Sequence, residues 1–235
     1  MSMQSQGIYH VDIVMCIDAT GSMSKIINDV KQTALTFHQR FSEAMEEADK
    51  SVDKLRIKVI AFRDFGKTDA PAIESSERFF TLPDENEAFK EFVDRIEAKG
   101  GGDIPENALE AISLALRSDW TTDGEKRRHV ILVFTDAPAL DLSARKDCPG
   151  YPEGMPADLA QLGAWWEQTD QTFGDGTYQA EAGRLVAFVP NAEPWTAMEA
   201  WNRYWPAYSA AGTELDDTNM AAAIDLLVGS MGKTV

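Results

Sequence analysis

Residues 8–24 read Ile-Tyr-His-Val-Asp-Ile-Val-Met-Cys-Ile-Asp-Ala-Thr-Gly-Ser-Met-Ser. The first ten are apolar almost throughout and rich in β-branched side chains, the pattern of a parallel strand buried on both faces. The run stops at Asp18. From Ser22 onward Ile27, Val30, Ala34, Leu35, Phe37 and Phe41 recur near the helical period down to about residue 48. A buried strand, a short polar loop and an amphipathic helix in that order open an alternating α/β fold.

Working outward, residues 55–62 form a second strand that leaves through the polar loop Arg63, Asp64, Phe65, Gly66, Lys67, and residues 78–82 a short edge strand. Residues 86–98 carry Phe89, Phe92, Val93 and Ile96 at helical spacing. Gly100, Gly101 and Gly102 break that pattern, and a helix restarts near Pro105 through Leu109, Ile112 and Leu116. Residues 130–134 are strongly apolar and end in a loop of Thr135, Asp136, Ala137 and Pro138. An irregular insertion covers about 141–180, with a helix at 157–168 inside it, and a strand follows at 185–189. The segment 194–208 concentrates Trp195, Trp201, Tyr204, Trp205 and Tyr208, which a compact helix can turn outward as a binding patch or, as aromatic burial favours, inward as core. A last strand is expected at 208–212 and a closing helix at 217–231.

Strands alternating with helices imply right-handed crossovers and a doubly wound, mostly parallel sheet with helices on both faces and room for one short antiparallel edge strand. The 235 residues suit one such domain. Ligands of these sheets sit beyond the carboxyl ends of the strands. That places the loops 18–24, 100–103 and 135–138 on one edge.

With 39 acidic against 22 basic residues, the formal charge of -17 opposes binding to nucleic acid or to an anionic membrane. Cysteines Cys16 and Cys148 lie far apart and imply no disulfide framework. The first fifteen residues lack a basic segment ahead of a long apolar core, and no run reaches the roughly eighteen apolar residues of a membrane span. A reduced, soluble, cytoplasmic protein is the expectation. His10, His38 and His129 are scattered and read as structural.

Asp18, Thr20 and Ser22 stand two apart, so an extended turn can aim a carboxylate and two hydroxyls at one point. Such a set suits a hard cation, Mg²⁺ above all, which prefers a few carboxylates, hydroxyls and retained waters to sulfur or imidazole. Asp-Ala-Thr-Gly-Ser-Met-Ser at 18–24 resembles the first loop of the metal-ion-dependent adhesion site of von Willebrand factor A domains. The usual form is Asp-x-Ser-x-Ser; the Asp-x-Thr-Gly-Ser-Met form looks like the branch found in alpha-kinase-associated proteins. The family's last ligand, an Asp after a hydrophobic strand, is carried over to Asp136, where Ala137 stands in the usual Gly place. In the middle loop the family usually has Thr, and this chain departs from it with Asp103. Asp103 can coordinate directly or through water, or it can cap the helix that follows. Asp64 reads as a rim residue or, more simply, part of a plain turn.

The resemblance implies a metal-dependent protein-interaction module, an adaptor in a signalling or stress system, in which a divalent cation (Mg²⁺, or Mn²⁺ or Ca²⁺) receives an acidic side chain of a partner. The set of expected ligands is Asp18, Thr20, Ser22, Asp103 and Asp136. The rival is a Mg²⁺-dependent phosphohydrolase of haloacid dehalogenase type with Asp18 as nucleophile, since Asp18-Ala-Thr-Gly-Ser also resembles a phosphorylation loop. Its usual Lys is absent between Asp18 and Gly21, and Leu140 stands where a second acid is expected. A dinucleotide-binding fold lacks its Gly-x-Gly-x-x-Gly here.

Overall fold

The computed structural model describes residues 8–25, 27–101, 104–174, 176–209 and 217–230. Its strands are β1 (Ile8–Asp18), β2 (Ser51–Phe62), β3 (Ile73–Ser75), β4 (Phe80–Leu82), β5 (Lys126–Phe134), β6 (Gly183–Pro190) and β7 (Tyr204–Ser209). The helices are α1 (Ile27–Glu47), α2 (Asn86–Arg95), α3 (Ala108–Leu116), α4 (Leu159–Trp166) and α5 (Asp217–Ser230). The sheet runs β3-β2-β1-β5-β6-β7, with β4 also paired to β2. β1, β2, β5, β6 and β7 are parallel to their neighbours, whereas β3 and β4 lie antiparallel on β2. Two short antiparallel strands thus stand where one was expected.

Alternation along β1 divides the core. Val11, Ile13, Met15 and Ile17 face the layer of α1, α2 and α5, meeting Val30, Phe37, Phe41, Phe89 and Leu227. Val14 and Cys16 face the opposite layer, where α3 supplies Leu109, Ile112 and Leu116 and α4 supplies Leu162 and Trp166. Burying both faces at once is what makes the strand apolar without interruption. Burial also pushes the Cys16 thiol well above its ordinary range, leaving it a packing residue.

The chain leaves β1 towards β2 on one side and later returns to β5 on the other. The order therefore reverses between β1 and β5, the position at which open α/β sheets form their crevice. Register fixes what meets there: Ile17 lies opposite Phe134, so the residues that follow them, Asp18 at the end of β1 and Thr135 just past β5, come out side by side.

Three expectations need correction. The aromatic segment is not a helix: Trp195 is buried before a single 3-10 turn, and β7 occupies Tyr204–Ser209, ahead of the expected 208–212, of which residues 210–212 lie outside the described residues. Trp201, Tyr204, Trp205 and Tyr208 happen to satisfy helical spacing, but Pro206 removes an amide that a helix needs and an edge strand can spare. Along β7 Tyr204 packs on the α3 side and Trp205 on the α1 side, which is period two. The helix expected from Pro105 begins only at Ala108, because Glu106 first pairs its backbone with the third loop, its N–H to Pro138 O and its carbonyl to Leu140 N–H. β2 begins at Ser51, earlier than the apolar run alone indicates.

Candidate metal centre

Asp18 closes β1 with its side chain fully buried. One carboxylate oxygen, Oδ1, accepts from the backbone N–H of Thr20 (2.8 Å) and from Thr20 Oγ1 (2.7 Å). The other, Oδ2, accepts from Thr135 Oγ1 (2.6 Å), which itself accepts from the N–H of Ala137 (3.1 Å). Thr20 Oγ1 lies 3.1 Å from Ser22 Oγ, and Ser22 Oγ donates to Asp136 Oδ1 at 3.0 Å. Asp18, Thr20, Ser22 and Asp136 are therefore brought to one point, running from a buried carboxylate to a half-buried one at the mouth. Asp103 lies outside the described residues.

The middle loop holds the first in place through its backbone. Lys99 N–H donates to Ala19 O (2.9 Å) and Gly21 N–H to Gly100 O (2.8 Å). Gly100 and Gly101 both adopt positive φ, and a Cβ on Gly101 would come within 3.2 Å of Thr20 Cβ. The glycines are needed here for approach as well as for backbone conformation.

Burial raises the Asp18 carboxyl to about 6; hydrogen bonds from Thr135 and Thr20 pull the other way, and the charge of Asp136 adds to the rise. Among the described residues the largest effects on it come from burial, the two threonines and Asp136, not from a basic side chain. Among the described residues no group of three or more His, Cys, Asp and Glu is placed to hold a metal. The cluster instead offers two carboxylates, with hydroxyls as its remaining donors. An all-oxygen set of this kind fits a hard divalent cation, which would supply the positive charge that Asp18 lacks.

Two parts of the surroundings escaped the sequence reading. Thr135, quoted there only as part of a loop, orients the second oxygen of Asp18. Asp64 is no plain turn residue: it is fully buried, its Oδ1 accepts from Asn107 N–H (3.2 Å), and Asn107 Oδ1 accepts in return from Phe65 N–H (3.1 Å). Glu106 is only 2% exposed and faces Asp64, with its carboxyl held well above the ordinary range first by burial and then by Asp64, Asp18 and Asp136. Glu110, raised to about 7 mainly by burial, takes Asn107 Nδ2 (3.1 Å) and Tyr151 Oη (3.0 Å) on one oxygen. The signal for this network was an acid, Glu110, inside the otherwise apolar helix Ala-Leu-Glu-Ala-Ile-Ser-Leu-Ala-Leu. By contrast His129 is buried, lowered to about 4 by that burial, and held between Thr121 O and Gln179 N–H, in keeping with a structural role.

Fold and loop set together define an open α/β domain whose oxygen-rich loops meet at the switch point of a parallel sheet. The family pattern of the von Willebrand factor A domain matches residues 12–148, more than half of the chain, and the chain belongs to that family. Among solved structures it resembles the pilus adhesin SpaC from Lactobacillus rhamnosus GG (TM-score 0.54, 12% identity, 94% of this chain and 30% of that one). It also resembles proximal thread matrix protein 1 from the mussel byssus (TM-score 0.51, 10% identity, 96% of this chain and 49% of that one). At such identities the likeness is one of fold, and this chain spans less than half the length of either. Among curated proteins none matches it significantly in sequence. No described helix is long and apolar enough to cross a membrane.

Proposed function

We propose that the domain is a metal-dependent protein-interaction module, holding one divalent cation, Mg²⁺ by default, with Asp18, Thr20, Ser22 and Asp136. The observation that carries this reading is the fully buried Asp18 carboxylate, joined through two hydroxyls to Asp136 at the mouth. A cation bound there would retain positions for an outside oxygen ligand, and an acidic side chain of a partner protein is the ligand whose charge matches. Asp103, in the place where the family usually has Thr, belongs to the same reading as a third carboxylate. Its charge would strengthen cation binding and weaken the cation's attraction for an acidic ligand. The Asp-x-Thr-Gly-Ser-Met form of the loop supports, in this reading, a likeness to the alpha-kinase-associated branch.

The test is thermal melting with and without Mg²⁺ or Mn²⁺, with chelator as control. Wild type should gain stability with the cation, and an Asp18→Ala, Ser22→Ala double variant should not. An equal response of the two proteins removes the metal site. A pull-down repeated in chelator then tests the module itself. Asp18-dependent hydrolysis of a generic phosphomonoester would replace the interaction reading with an enzymatic one.

A further inference from the structure

The start of β2 has an edge that its neighbours leave open. On its outer side β2 pairs with β4 only from Leu55 to Ile57 and with β3 only from Ile60 to Phe62. Residues 51–54 pair with β1 on the inner side; among the described residues no strand lies on their outer side, and no loop hydrogen bond reaches their backbone. Such an unpaired row of N–H and C=O groups is a template for an added strand. It lies far from the metal centre, because Asp18 is opposite Phe62 and the ten strand residues from Val52 to Phe62 span roughly 30 Å. Beside this edge α1 and β2 line a groove of about 470 Å³. Its apolar lining is Val52, Leu55, Leu82 and Pro83. Val52 and Leu55 both reach the α1 layer because the β1 register skips Asp53, a bulge that shifts the alternation by one. Its charged lining is Glu43, Glu46 and Asp53, with no Lys or Arg among the lining residues. Glu43 accepts from Gln39 Nε2 (2.9 Å) and Asp53 meets His10 Nε2 (3.1 Å), and neither contact supplies a Lys or Arg. His38, also in the lining, adds no charge at neutral pH, since burial holds its imidazole below the ordinary range.

We propose that this groove docks an extended, basic segment of a partner protein, which adds a strand along residues 51–54 and turns alternate Lys or Arg side chains towards α1. The apolar stems of those side chains suit Val52, Leu55 and Leu82, and their charged ends match Glu43, Glu46 and Asp53. Main-chain pairing supplies affinity, and the acidic lining selects the charge. An acidic segment would meet three like charges there.

The groove does not depend on the cation site, so binding is measured in chelator, by fluorescence anisotropy of the full chain with a labelled peptide of alternating Thr and Lys. Glu43→Gln with Glu46→Gln should weaken binding by about tenfold or more, whereas Glu87→Gln with Glu91→Gln, the same change of charge at exposed positions of α2, should alter it by less than about twofold. Two further peptides keep the charge and test the pairing on wild type, one N-methylated at every Thr amide and the other at every Lys amide. Only alternate amides of an added strand face β2, so one of the two should lose about tenfold or more and the other bind like the parent. Equal losses in the two pairs of variants mean general attraction to an acidic surface; equal affinities of the methylated peptides mean that no strand is added. Either result, or no binding at all, overturns the proposal. Sedimentation without peptide covers the other occupant: a dimer that the Glu43, Glu46 variant dissolves assigns the groove to a second copy of the chain, and the partner segment is then wrong. None of these outcomes bears on Asp18, whose cation is tested by melting.

Discussion

Replacing Asp18 with Asn separates what this residue does for the fold from what it does for a cation. Raising a carboxyl from its ordinary 3.8 to about 6 opposes its ionisation at neutral pH by about 3 kcal/mol. The folded chain holds the proton that the unfolded chain gives up between these values, so Asp18's own contribution to the stability of the metal-free protein is greatest below about pH 4. It falls as pH rises to about 6 and is flat beyond. Asn keeps the acceptor for Thr20 and can donate to Thr135 Oγ1, so most of the hydrogen bonds survive without the charge. In chelator at pH 7.5 the variant should therefore be more stable than wild type by about 2–3 kcal/mol, or roughly 5–10 °C in melting temperature. At pH 4 the two should converge. With Mg²⁺ at about a hundred times its dissociation constant, wild type should recover about 2.7 kcal/mol and the variant almost nothing. Melting curves followed by circular dichroism at both pH values, with and without Mg²⁺, give all of these readings. If Asp18→Asn melts below wild type in chelator at pH 7.5, the buried charge is compensated by something other than a cation, and the reasoning fails.

In the middle of the sheet, where β1 pairs with β2, Arg56 binds the buried Asp12 through Nε (2.7 Å) and Nη2 (2.5 Å), while Thr121 N–H donates to the same carboxylate (2.6 Å). Arg56→Met should cost about 3 kcal/mol in urea denaturation by stranding that carboxylate, and adding Asp12→Asn should recover part of the loss. No recovery in the double variant would show that packing of the Arg56 stem on Phe79, and not charge, sets the cost. Gly100→Ala should lose about 2–4 kcal/mol, since φ is +74° and the new Cβ would fall 2.4 Å from Thr68 Cβ. The same variant should weaken Mg²⁺ binding in calorimetry, because the displaced carbonyl is the one that holds Gly21; unchanged affinity would uncouple the glycine loop from the site.

Much of the architecture was legible in the chain itself. Continuous apolar runs at β1 and β5 mark strands covered on both faces, and each ends at the polar residues that open a loop of the candidate site, so Asp18, Thr20 and Ser22 could be named from their spacing and Asp136 from the family resemblance. A strand's burial leaves its mark on every residue of the strand. Tertiary structure decided the rest. Trp201, Tyr204, Trp205 and Tyr208 satisfy a helical period as well as a strand's, and only pairing with β6 resolves them. Thr135 looks like any loop threonine until the register of β1 against β5 sets it on Asp18, and Asp64 looks like a turn residue until Glu106, 42 positions later, is packed against it. Sequence pattern determines which faces are apolar, because that property is local. Which polar groups share a buried space, and whether they need a cation between them, depends on contacts between distant segments and is decided only when the chain has folded.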